Sequence, residues 1–396
     1  MMHLKGDRVK WIIFLSSTLT LMSLTAVASI VNEIRADLNL STSLTGFIIT
    51  LYALIVVLIS PFIGKWIDRF GAKNLLVGGL FLYGTSGLMV LMENSLWVLI
   101  LSRIIMGVGV AAIFSTITVI IGDVYSGSKL HHMMGLRVSI NNIGAVVWPI
   151  LGGLLGEISW QAPFAIFMVG FPLGFMVIKE VPKTHIGIAE ATKDSKMSFF
   201  LVIRENPTLI LIYLLMFLTT IIISVGAIFV PQLLKHIGVT NTVAIGFYIS
   251  AMTLAVATTS FFYGRIMDNL RNYLIVVVAF SFWVLGFSLI TFLPAATSIM
   301  IAVMALGIGR GMVFPATIVW ASEVGPESER GIIVSTDTAF AYLGIFMAPV
   351  LLLPAEVYGG IFGVFGALTF FSIILLLAII ISGLVIKLSG RGDLRI

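Results

Sequence analysis

Cysteine is absent from the 396-residue chain. That excludes a disulfide framework, thiolate chemistry and any cysteine-based metal site. Charge is scarce: 10% of residues are Asp, Glu, Lys or Arg, where a soluble domain carries roughly 25%. So little charge cannot clothe a soluble fold of this length. Histidine is rarer still, and its five positions (3, 131, 132, 185 and 236) read as tails and connectors rather than apolar runs. A histidine relay deep in the fold is thereby excluded. The stretch "YSGSKLHH" (125–132) gathers a serine and two histidines, but reads as a solvated connector. No His-Glu-x-x-His pair and no P-loop occur. We therefore expect no enzyme activity, no metal and no cofactor, and ATP-driven transport would need another subunit.

What is present is grease: 59% of residues are hydrophobic and the mean hydropathy is +1.13. A chain whose solvent is lipid must satisfy its backbone in helices or in a closed barrel. Barrel strands alternate apolar and polar residues, whereas runs such as "LLLAIIISGLVI" (375–386) are continuous, so helices are predicted. A membrane helix takes about 20 apolar residues. Spans are placed near 11–32, 43–63, 75–92, 96–121, 136–156 and 163–178, then 208–233, 243–263, 273–293, 298–321, 332–354 and 361–386. The first is too long for a cleaved signal core. Twelve spans put both termini on one side. Most of the 23 basic residues, among them Lys65, Arg69, Lys73, Lys129, Arg137 and Lys183, then fall on the termini side, with Arg35 and Lys235 opposite. This bias places the termini in the cytoplasm. It also explains the net charge of +5 as topology, so no nucleic-acid partner is expected.

The polar stretch 179–207 divides the chain into a bundle at 1–178 and a bundle at 208–396, and reads as a cytoplasmic linker. The halves are related at a shift of 200. "SPFIGKWIDRF" (60–70) aligns with "SFFYGRIMDNL" (260–270), Gly107 and Gly109 with Gly307 and Gly309, Phe114 with Phe314, and Gly144 and Pro149 with Gly344 and Pro349. Repeated halves are a mark of secondary transporters, whose substrate sites lie near mid-membrane at the repeat interface.

The segment between the second and third spans carries Gly64, Asp68, Arg69, Gly71 and Lys73, and its second copy keeps Gly264 and Asp268 but has Asn269 for the arginine. The fourth span carries Arg103, Gly107, Gly109 and Ala111. Together these motifs resemble those of the major facilitator superfamily. The resemblance implies an all-α membrane protein of twelve transmembrane helices in two pseudo-twofold six-helix bundles. On the residues alone, Gly64 and Gly71 suit a sharp turn, and Asp68 suits a helix N-terminus, which attracts a carboxylate. The resemblance implies that Asp68 latches onto the start of the eleventh span, near Gly331, and that Asp268 does the same, more weakly, near Leu136. In the fifth span Gly144, Pro149, Gly152 and Gly153 resemble a motif of drug/proton antiporters in that family, with Trp148 where a glycine is expected.

Charge inside a span is costly and marks a functional candidate. Arg103, Arg310 and Asp337 qualify, with Asn141 and Asn142 as polar residues of the fifth span. Two arginines would attract an anion; Arg310 could instead pair with Asp337. Ser16, Thr20 and Ser23 share a face of the first span, which lacks the carboxylate that many exporters carry there. The expected function is secondary active transport of a small organic solute by alternating access, proton-coupled and exporter-like. The alternatives are an organic-anion symporter or uniporter, and a non-transporting receptor or assembly factor on a carrier fold. The expected partners are a small-molecule substrate, a proton or other coupling ion, and the lipid bilayer, for a monomer in the cell membrane.

Overall fold

The computed structural model describes residues 2–125, 127–181, 206–265, 272–324 and 330–388. Of the linker at 179–207, residues 182–205 lie outside that description, as does Asp268. The described chain is helical: α1 Met2–Ala28, α2 Val31–Asp37, α3 Thr42–Phe70, α4 Ala72–Met92, α5 Leu96–Val124 and α6 Gly127–Gly156. A 3₁₀ helix, Ala162–Val169, runs into α7, Gly170–Glu180. There follow α8 Thr208–His236, α9 Thr242–Phe261, α10 Asn272–Phe292, α11 Ala296–Val324 and α12 Arg330–Leu388. Eleven of the described helical stretches are long and apolar enough to cross a membrane. The last, Ile333–Ser382, is 50 residues long and breaks at Gly360, whose φ of 60° and ψ of −157° belong to glycine. Counted as two limbs, it completes twelve crossings.

The chain separates into two compact units, Met1–Ser198 with Asn241–Gly246, and Phe199–Thr240 with Phe247–Ile396. In the first, α1 packs against α6, α4 against α5, and α3 against α5. In the second, α8 packs against the first limb of α12, and α10 against α11. The shift of 200 is visible in the packing. A Cβ on Gly107 would sit 2.6 Å from the Tyr52 carbonyl oxygen, and one on Gly307 would strike the Met252 carbonyl. A Cβ on Gly109 would sit 2.8 Å from the Gly79 oxygen, and one on Gly309 2.6 Å from the Ala279 oxygen. The glycines let the same helix pairs close to backbone contact in each unit.

Helix ends follow the local chemistry. Ser41 Oγ accepts from the Leu44 amide at 3.2 Å, and Asn241 Oδ1 from the Ala244 amide at 2.8 Å, as N-caps do. Gly71, at φ 81°, is the single residue between α3 and α4. The expectation that Gly64 shares this turn is corrected: Gly64 is helical, inside α3, with open space around it. The chain needs one left-handed residue to reverse, and Gly71 supplies it. The reading of "YSGSKLHH" as a connector is corrected as well, since α6 begins at Gly127.

On the side of the first unit away from the N-terminus, three connections are tied by one carboxylate. Asp37 Oδ2 accepts from Asn94 Nδ2 at 2.7 Å and from Trp160 Nε1 at 2.9 Å. These bonds, the Asn94 bond first, hold its pKa below the ordinary carboxylate value. Nearby in sequence, Glu157 Oε1 accepts from Asn241 Nδ2 and Thr242 Oγ1, both at 2.9 Å.

Candidate functional site

The buried charges are few and each is held differently. In the first unit, α5 carries Arg103 with 0% exposure. Its guanidinium carbon lies 4.8 Å from the centre of the Phe164 ring and 5.5 Å from that of Phe167, on the 3₁₀ helix. Nη1 points at Met106 Sδ at 3.5 Å, while Nε and Nη2 have no hydrogen-bond partner. Aromatic faces offset part of the cost of burying the cation, by about 2 kcal/mol when the pair is dry. Tyr83, on α4, donates to the Leu19 carbonyl at 2.9 Å and accepts from Ser23 at 3.2 Å.

The hydroxyl face of α1 is buried and turned on its own helix. Ser16 donates to Ile12, Thr20 to Ser17 and Ser23 to Leu19 carbonyls, at 2.7 to 3.0 Å. These are local backbone bonds of the kind that hydroxyls make inside membrane helices. The fifth-span glycines serve the same helix. A Cβ on Gly144 would lie 2.8 Å from Thr18 Cβ, and one on Gly152 would strike the Ala26 carbonyl. Gly153 instead meets the first turn of α9, where its carbonyl accepts from Thr242 Oγ1 at 2.7 Å. Pro149 also faces that turn, its carbonyl 2.5 Å from where a Cβ on Gly246 would stand. Asn141 and Asn142 are half-buried, and Asn141 Oδ1 has no partner.

One buried charge escaped the sequence reading. Arg137, counted among the cytoplasmic basic residues at the edge of the fifth span, is inside α6 and 8% exposed. It donates to Thr118 Oγ1 at 2.6 Å and to the Phe114 carbonyl at 3.2 Å, and lies 4.8 Å from the Phe114 ring centre. The signal was available, because Arg137 precedes Asp337 by 200 residues.

Asp337, in the second unit, is the only buried acid among the described residues, at 0% exposure. Both carboxyl oxygens are without a hydrogen-bond partner. Tyr213 of α8 covers the same face of α12: its hydroxyl donates to the Ile333 carbonyl at 3.2 Å, and its ring stacks on Phe340 at 5.3 Å. Ile333, Asp337 and Phe340 are spaced as one helix face. Arg310 of α11 is 5% exposed and lies 4.8 Å from the Phe314 ring centre, with Nε unpartnered. The expected alternative pairing of Arg310 with Asp337 is not made here, since neither carboxyl oxygen has a partner.

Of the segment between the second and third spans, Arg69 is exposed beside the Phe70 ring. Lys73 donates to the Ile178 carbonyl at 2.8 Å, tying α4 to the end of α7. The side chain of Asp68 and the surroundings of Gly331 lie outside what is described, as does Leu136's proposed partner Asp268. Gly264 is described and has open space around it. Among the described residues, no three His, Cys, Asp or Glu side chains gather as a metal site.

The family model described as Major Facilitator Superfamily matches residues 13–349 and 212–391. Multidrug resistance protein 1 of Bacillus subtilis (strain 168) is 23% identical over 343 residues, 82% of this chain and 84% of that protein. Quinolone resistance protein NorA of Staphylococcus aureus (strain MSSA476) is 23% identical over 329 residues, 80% of this chain and 81% of that protein. A crystal structure of a D-xylose–proton symporter superposes with a TM-score of 0.75 at 17% identity, covering 94% of this chain and 97% of that one; at that identity it supports the fold alone. The chain therefore belongs to the Major Facilitator Superfamily: it is a multi-pass secondary transporter for a small molecule, and not an enzyme.

Proposed function

We propose that the protein is a proton-coupled exporter of amphipathic organic molecules, that it works as a monomer with both termini in the cytoplasm, and that Asp337 is its coupling acid. One observation carries the coupling: a wholly buried carboxyl with neither oxygen partnered. An acid in a membrane helix is expensive, and it persists where function needs it. A group that holds a proton in one conformation, and meets water or a cation in another, links proton movement to that conformational change. The relatives named as multidrug and quinolone resistance proteins support the exporter direction. The basic residues on the termini side support the orientation. Asp68 and Asp268 are assigned to gating. Arg310 favours a second reading, an organic-anion carrier, because its Nε is uncommitted and a guanidinium recognises carboxylates well.

The test is flux into proteoliposomes under an imposed pH gradient, with lipophilic cations and small carboxylates as rival solutes. Proton-driven movement of the lipophilic solutes, lost when the gradient is collapsed, is expected. Carboxylate flux that Arg310→Ala abolishes, with no lipophilic flux, would install the second reading. Flux indifferent to the gradient would remove the coupling assignment.

A further inference from the structure

The second unit contains a cavity of about 470 Å³ that neither Arg310 nor Asp337 lines. Its walls come from α8, α10 and both limbs of α12, with Phe217, Ile221, Phe280, Trp283 and Leu368 among them. Its volume falls within the range of ligand sites, yet its chemistry is unlike theirs. Among the described residues no charged side chain contributes, and the only hydroxyl, that of Ser372, already donates to the Leu368 carbonyl. One further donor, Trp283 Nε1, has no hydrogen-bond partner and lies against Gly309 of α11. The lining is otherwise apolar, which suits a hydrocarbon occupant.

The mouth shows where the occupant comes from. Phe370, Phe371 and Leu351 line the cavity, and are 68%, 49% and 50% exposed. On membrane-crossing helices, such residues face lipid. Phe370 lies ten residues past the Gly360 break, or about 15 Å along the helix, which is half of a hydrocarbon core about 30 Å thick. Headgroups do not reach that depth; chain methylenes do. We propose that this cavity is a lateral binding site for the acyl chain of a membrane phospholipid, inserted from the bilayer against Trp283. The inference stands apart from the coupling assignment, because α11 and Asp337 take no part in the site.

Trp283 is the built-in reporter: it forms the wall but is only 2% exposed. The full-length protein would be reconstituted in phospholipid brominated at mid-chain, and Trp283 emission taken as the difference between wild type and Trp283→Phe. Loss of most of that emission is expected. Ala367→Phe and Leu218→Phe, which fill the cavity from two sides, should each restore it, with elution volume and thermal unfolding confirming the fold. Native mass spectrometry should show a retained phospholipid in wild type, and its loss in the filled variants. Emission that neither filled variant restores would overturn the proposal. Quenching by a free brominated alkane, with none by the brominated phospholipid, would also overturn it, in favour of a small lipophilic ligand.

Discussion

Arg137 and Asp337 occupy the same place in the two halves, 200 residues apart, and carry opposite charge. Arg137 is buried but fully engaged, bonded to Thr118 and the Phe114 carbonyl and resting over the Phe114 ring. Asp337 is buried and has no bond at either oxygen. In the second half the corresponding ring, Phe314, is instead taken by Arg310. At this repeated position one copy thus has a settled charge and the other an unsettled one. A satisfied buried ion is a structural fixture; an unsatisfied one is tolerated where it must change partner.

The comparison breaks most visibly at Asp337. Asp337→Asn should abolish gradient-driven transport while leaving the protein folded, because the amide cannot carry the proton. Arg137→Met should do the reverse: transport persists, and stability falls by about 1 to 2 kcal/mol for the lost charge-assisted hydrogen bonds. Flux assays paired with thermal unfolding of both variants decide the matter. Equal losses of transport in the two would erase the distinction between fixture and working group.

The glycines sharpen the same contrast between positions that motif reading treats alike. Gly152→Ala drives a methyl into the Ala26 carbonyl. α1 and α6 must then separate, and unfolding should come at a lower temperature with transport impaired. Gly64→Ala meets open space on a helix, so it should leave stability unchanged or raise it by about 0.5 to 1 kcal/mol. A destabilised Gly64→Ala would show that a glycine is needed there after all.

The spans, the repeat and the lone acid were legible because each rests on composition along the chain. Twenty apolar residues must cross, and Asp337 stands out in a run that has no other charge. Gly71 was legible as a turn because the chain reverses between two spans. Gly64 misled for a physical reason: the polar ending of α3 looks like a loop to a hydropathy reading, although backbone bonding carries the helix to Phe70. Arg137 was missed in the same way: it stands at the edge of the span read as 136–156, whereas the helix already starts at Gly127. The partners of a buried charge, and a cavity assembled from four distant segments, depend on packing that no local pattern encodes.

The smallest expected effect concerns Asp37, an engaged acid to set beside the unengaged Asp337. Its hydrogen bonds from Asn94 and Trp160 depress its pKa in the folded protein. A depressed carboxylate contributes stability that is present above its unfolded pKa, ordinarily about 3.9, and that is lost as pH falls through the folded value. Asp37→Asn should therefore lower the unfolding temperature slightly at neutral pH and leave it nearly unchanged well below pH 4. The group is solvated, so the difference will be small, and thermal unfolding of wild type and variant across that pH window would measure it. If the two curves stay parallel throughout, the bonds from Asn94 and Trp160 position the connections without favouring the charge.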